Sequence, residues 1–337
     1  MTSRSPAPLV RARREETSTD AIGFRDARAR DQDFLRLYYK SVKHAWSLEE
    51  IVSRDATFDF TLPFMPDPVT PAAQQARIDP RVRLTLSQLR GNEYFSIIVF
   101  IEDVIVDFLW DYVGRQRFTL PLETQQALTN FISEEMKHTL MFQAFRRKFE
   151  QGFGSPCRAM TRTADFVQFV LKHDPLGVLL FILHGEAMTF IHYLSSIDKT
   201  GERQDPYFAD LLKFHWIEEA GHVTLDELLL QEMARPYSDA RKLTAIRDYF
   251  ALVDFLDGAL MRVGHFDLLD LCAAPGLREP VMDARADLVR QQRRFYTQSY
   301  ILDVMESPRF RKAFAALSPD ALPLLDEKIG VLKGVLV

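Results

Sequence analysis

The run KFHWIEEAGH (213–222) sets His215, Glu219 and His222 at relative positions 0, +4 and +7. At roughly 100° per residue they form a narrow stripe on one helix face. A second run, SEEMKH (133–138), carries Glu135 and His138 with the E-x-x-H spacing of Glu219 and His222. Each such pair places one oxygen and one nitrogen donor a helical turn apart, aimed at one point. Two further acids lie in apolar runs: Glu186 in FILHGEAMTFIHY and Glu102 in IIVFIEDVIV. Four carboxylates on faces that pack inward cannot stay ionised uncompensated, because desolvation costs about several kcal/mol per ion. A pair of metal cations resolves that cost. Two E-x-x-H pairs with one glutamate from each of two other helices make a di-metal carboxylate site. His215 is a seventh donor beyond that set.

Other groups near these stripes admit more than one duty. Glu93 in RGNEYFS competes with Glu102, and the two are nine residues apart on opposite faces of one helix, so only one is expected to point inward. The apolar surroundings favour Glu102. His184 and His192 lie off the Glu186 stripe and read as structural or supporting groups. Asp226, one turn after His222, is placed either to orient an imidazole or to sit in water. Glu134 and Glu218 are one residue off the ligand stripes and face outward or behind the ligands. Tyr193, two turns after Glu186, either lines a cavity or packs in the core.

Helical periodicity dominates the chain, glycine is scarce at 14, and strand-like alternation is hard to find. The spacing predicts a helix over 30–52, a proline-rich connector, and long helices over 81–112, 122–150, 175–198 and 207–233. A short helix over 160–172 and outer helices over 238–263, 279–304 and 308–334 complete the set. In the hairpin formed by the third and fourth long helices, Glu186 and Glu219 stand at equal depth, about twelve residues either side of the loop. Residues 1–25 read as a disordered arm without an apolar secretory core, and 26–337 as one domain.

The 337 residues, 47% of them hydrophobic and 26% charged, describe a soluble globular protein long enough to bury a large core. A net charge of -5 gives no reason to expect nucleic-acid binding. Residues 94–110 and 175–194 are apolar enough to suggest a membrane, but each carries acids near its middle, so buried helices are the better reading. Two cysteines, Cys157 and Cys272, form no disulfide framework, and a cytoplasmic location follows. The 26 phenylalanines suggest an aromatic interior or pocket.

The pattern resembles the non-haem di-iron N-oxygenases of the p-aminobenzoate N-oxygenase type. HWIEEAGH is similar to their H-x-x-x-E-x-x-H segment, EEMKH to their second-helix pair, and GEAMTFIHYL to their third-helix glutamate segment. The likeness covers most of residues 50–235. It implies an all-α, ferritin-like four-helix bundle with additional flanking helices. It implies two irons, with Glu102, Glu135 and His138 mainly on one and Glu186, His215, Glu219 and His222 mainly on the other. The expected activity is O2 activation to oxidise a small aromatic or apolar substrate, foremost an amine at nitrogen, with an external electron donor. Manganese is open beside iron on donor type, and a homodimer is expected from related bundles. The alternatives are a di-iron hydroxylase or desaturase on an aliphatic or carrier-bound substrate, for which AFRRKFE (144–150) would be a basic docking patch, and a metal-dependent hydrolase. Iron storage and a metal-free helical module are further readings.

Overall fold

A computed structural model describes residues 27–52, 55–65, 78–160, 164–199 and 204–336. The expected N-terminal arm lies outside these residues, as does most of the connector. Among the described residues there is no strand. The helices are α1 (Ala27–His44), α2 (Leu48–Ile51), α3 (Pro80–Gln116), α4 (Leu122–Phe153), α5 (Ala164–Leu171), α6 (Pro175–Lys199), α7 (Pro206–Ala234) and α8 (Asp239–Ala273). They continue with α9 (Arg278–Asp283), α10 (Arg285–Thr297), a π-turn (Gln298–Leu302), α11 (Asp303–Met305), α12 (Pro308–Leu317), a 3-10 turn (Pro319–Ala321) and α13 (Leu322–Gly334).

Local chemistry sets the starts of the long helices. Asp79 caps α3 by accepting from Arg81 N, with Pro80 in the first turn. Asp205 caps α7 by accepting from Phe208 N at 2.7 Å, with Pro206 next to it. The same Asp205 accepts from Asp59 N at 2.8 Å, and its own N–H donates to Pro63 O. One residue thus starts a helix and ties the 55–65 strap across the bundle. Gly154, at φ 79°, ends α4 in the left-handed conformation that favours glycine.

Two hairpins make the bundle core: α3 packs on α4, and α6 on α7. Helix α1 lies over α4 and α7, α8 covers α6 and α3, and α10 packs outside α8. Every residue from Leu86 to Glu102 is buried, so the middle of α3 has no outer face. Phe58 and Phe64 from the strap pack with Phe95, Phe145 and Phe149 to fill one end of the bundle. Helix α6 is long and apolar enough to span a membrane over Pro175–Ser195, but 89% of its apolar window is buried in the protein.

The outer helices depart from their expected limits. Helix α8 runs ten residues further than periodicity suggests, to Ala273. The expected 308–334 helix breaks because Ser318 precedes Pro319 and is extended at φ -158°, ψ 117°. The 279–304 segment breaks at Ala284 and widens into the π-turn, whose Ser299 and Tyr300 carbonyls accept from the imidazoles of His192 and His184.

Where α6 meets α8 there is no room for a methyl group. A Cβ on Gly177 would lie 2.5 Å from the backbone oxygen of Ala245. Gly177→Ala is expected to destabilise the fold by about 1–3 kcal/mol through overpacking, read as a lower urea midpoint. An unchanged midpoint would show that the α6–α8 contact relaxes freely.

Candidate metal centre

Helices α4 and α7 run antiparallel, which places their two E-E-x-x-H runs face to face. The first acid of each run reaches the histidine of the other. Glu218 Oε2 lies 2.7 Å from His138 Nε2, and Glu134 Oε2 lies 3.0 Å from His222 Nε2. Each carboxylate accepts from the outer Nε2–H and so turns Nδ1 inward. His138 Nδ1 then lies 3.1 Å from Glu219 Oε1 and 3.5 Å from Glu102 Oε2. His222 Nδ1 lies 2.8 Å from Glu135 Oε1, 3.2 Å from Glu219 Oε2 and 3.8 Å from Glu186 Oε2. His215 enters through its other nitrogen, Nε2, at 2.7 Å from Glu219 Oε1 and 3.1 Å from Glu102 Oε1.

Two nests of donors result. Glu102, His138, His215 and Glu219 form one, and Glu135, His138, Glu219 and His222 the other, with the ligating atoms of each nest within 4.8 Å of one another. Glu186 stands at the edge of the second. All seven side chains predicted from the sequence therefore converge, and each is at most 3% exposed. The expected division changes: Glu135 groups with His222 rather than with Glu102, and His138 and Glu219 belong to both nests. His215 sits against Glu102 and His138 rather than with His222 and Glu186, because its Nε2 points toward α3.

The donors are poorly satisfied without a cation. Both oxygens of Glu135, Oε2 of Glu102 and of Glu186, Oε1 of Glu219 and Nδ1 of His138 are buried with no hydrogen-bond partner. Six orphaned atoms around one point cost the fold stability, and a pair of cations satisfies them together. Protons partly take that place in the metal-free chain. Burial, then the nearby Glu135, pushes Glu102 well above the usual carboxylate range. Burial alone would lower His138 and His222, but the surrounding acids outweigh it and hold both well above the ordinary histidine value. Burial opposes ionisation of Glu135 too, yet the charge of His222 holds it well below the carboxylate range. His215 is pushed well down, by burial first and then by His138, so it presents a lone pair.

Outside the donors, Ser41 of α1 donates to Glu134. Lys137 donates to Glu218 at 2.6 Å and lies 3.9 Å over the Trp46 ring, which itself stacks on His138. Phe131 packs 4.1 Å from His222, and Phe142 meets His215 edge-on at 4.8 Å. The sequence placed Glu134 and Glu218 off the stripe without giving them partners. The doubled acid repeated in both runs was the visible signal, but the pairing depends on the α4–α7 register. Glu218→Gln is expected to lower ferrous-iron affinity about 10–100-fold while leaving the fold intact, measured by titration against a competing chelator. Unchanged affinity would show that Glu218 does not orient His138.

Two neighbours, Glu93 and Asp226, behave differently from expectation, while His184, His192 and Tyr193 follow one of their expected readings. Glu93 is buried, not outward, because α3 is covered all round; Ser96 Oγ donates to it at 3.0 Å. Asp226 neither orients an imidazole nor meets water: it is fully buried and both its oxygens lack a partner. His184 and His192 are structural, bound to the π-turn and pushed down by burial to about 4. Tyr193 stacks on Trp216 at 4.5 Å.

No curated protein matches the chain. Among solved structures, an R2-like ligand-binding oxidase variant with an aerobically reconstituted Fe/Fe cofactor aligns at a TM-score of 0.41 and 14% identity, over 82% of this chain and 93% of that one. That likeness is too distant to bear on the site. The model of the family described as P-aminobenzoate N-oxygenase AurF matches residues 29–256. The match takes in well over half of the chain and all seven converging donors, and this protein belongs to that family of non-haem di-iron oxygenases.

Proposed function

We propose that the chain uses its seven-donor centre to oxidise the nitrogen of an apolar or aromatic amine. Glu102, His138 and His215 would serve one iron, and Glu135, Glu186 and His222 the other, with Glu219 in reach of both. The observation that carries this reading is the set of orphaned buried donor atoms around one point, with neutral His215 added to the acid-rich set. When bound, the two irons supply the reduction of O2 and the transfer of its oxygen, with electrons from an external donor. The protein's residues hold and orient. Glu134 and Glu218 fix the imidazole tautomers, while Phe131, Phe142 and Trp46 exclude water around them. Buried on this scale, the donors favour a neutral substrate over one that brings a charge into the core. A single cytoplasmic domain acting as a homodimer accompanies this reading.

The test is O2 uptake by iron-loaded, reduced protein with a panel of aryl amines, products followed by mass spectrometry. Hydroxylamine or nitro products support N-oxygenation. O2 uptake with C-hydroxylated or desaturated products would replace it with the hydroxylase reading. Ester or amide hydrolysis without O2 uptake would replace it with a hydrolase. Of the basic run weighed for carrier docking, Arg147 is exposed, while Arg146 pairs with Glu150 at 3.2 Å and Lys148 donates to Ala56 O at 2.8 Å.

A further inference from the structure

A second buried polar group lies between α3, α8 and α10 and takes no part in the metal centre. The Tyr296 hydroxyl donates to Asp267 Oδ2 at 2.7 Å, and Gln292 donates to the same carboxylate. Gln292 in turn accepts from Arg90 Nε at 2.8 Å. Tyr296, Asp267 and Arg90 are all at most 1% exposed. From Tyr296 a line of rings leads inward. Tyr300 is 5.5 Å away between centroids, His192 a further 4.7 Å, and Tyr94 a further 5.7 Å. Phe142 completes the line, 5.9 Å from Tyr94 and 4.8 Å from the His215 ring.

We propose that Tyr296, paired with Asp267, is a one-electron oxidation site that drains oxidising equivalents from the metal centre along this line when no substrate is bound. The proposal rests on the oxygenase reading, which supplies the oxidant. In the step, one electron leaves the Tyr296 phenol and reduces the O2-oxidised metal centre by one. The phenolic proton moves from the Tyr296 oxygen to Asp267 Oδ2, leaving a neutral phenoxyl radical and a carboxylic acid. An external reductant reverses it.

The proton acceptor decides where the oxidation rests. A phenol is far easier to oxidise when its proton has a partner to receive it. Tyr300 lies on the line, but its hydroxyl has no hydrogen-bond partner, so it passes the electron without keeping the radical. Trp46 stacks closer to the centre, on His138, yet it is a poor resting place. Its N–H donates to a backbone carbonyl, Phe214 O, which cannot take a proton, and the Lys137 cation over its ring opposes a second positive charge. The environment of Asp267 suits it to receive the proton. Burial raises it to about 7, against the pull of Tyr296 and Arg90. At neutral pH a large share of it is ionised and able to accept.

Iron-loaded, reduced protein is mixed with O2 in the absence of substrate and freeze-quenched for EPR spectra, with iron content and O2 uptake measured on the same samples. The expected result is an organic radical whose hyperfine lines collapse when the tyrosines are ring-deuterated. It is absent in Tyr296→Phe and much weaker in Asp267→Asn, with iron content and O2 uptake retained in both. Spin trapping of the native protein, with the peptide fragmented to single residues, assigns the radical without a substitution, through an adduct on Tyr296 rather than Tyr300. O2 uptake with no organic radical, a radical of unchanged shape in Tyr296→Phe, or an adduct confined to other residues overturns the relay and leaves the oxygenase reading standing. No O2 uptake by protein holding its iron overturns both.

Discussion

Glu135→Ala is expected to reduce bound ferrous iron from about two per chain to well under one, with the metal-free protein still folded. Glu135 is completely buried, and neither oxygen has a hydrogen-bond partner. It lies 2.8 Å from His222 Nδ1 and belongs to the nest that His138, Glu219 and His222 complete. The substitution removes a donor that no neighbour can replace, since Glu134 is already committed to the far side of His222. The fold keeps other acids on His222, since Glu134 lies 3.0 Å from its Nε2 and Glu219 3.2 Å from its Nδ1, so the metal-free variant still folds. Iron counted after anaerobic loading, with circular dichroism on the same samples, checks both halves. Near-native iron in the variant would mean that the cations sit elsewhere.

Stripping the metal should make stability fall as the pH rises. His138 and His222 have folded-state values well above the ordinary one. Their protons therefore stabilise the metal-free fold fully below the unfolded histidine value, about 6.5. That contribution is lost as the pH climbs through the raised folded values. Iron replaces those protons, so the loaded protein escapes the loss and its affinity grows with pH. At free iron about a thousandfold above Kd, binding adds about 4 kcal/mol to stability. The gap in Tm between loaded and metal-free protein should thus be large and should widen from about pH 6.5 upward. A gap that is flat or narrows with pH would contradict a protonated core.

The ligand stripe was legible because it is a local property. Spacings of three, four and seven residues along α7 and three along α4 fix which side chains share a face before any tertiary contact forms. The same holds for Glu102 and Glu186, whose apolar neighbours announced burial. What stayed hidden depends on how helices meet. Glu93 was expected outside because a helix usually has an outer face, and only the covering of α3 by its neighbours removes it. The cross-bonds from Glu134 and Glu218 require the antiparallel register of α4 and α7. The placing of His215 beside Glu102 requires the approach of α3. The π-turn at Gln298–Leu302 is held by histidines more than a hundred residues earlier, which no local pattern contains.

Anomalous diffraction from crystals of the iron-loaded protein, recorded on both sides of the iron absorption edge, tests the di-iron centre most directly. Two peaks are expected between α3, α4, α6 and α7. One would lie within bonding reach of His138 Nδ1 and His215 Nε2, and the other within reach of His222 Nδ1 and Glu186. A single peak, or iron bound away from these donors, would contradict the seven-donor centre.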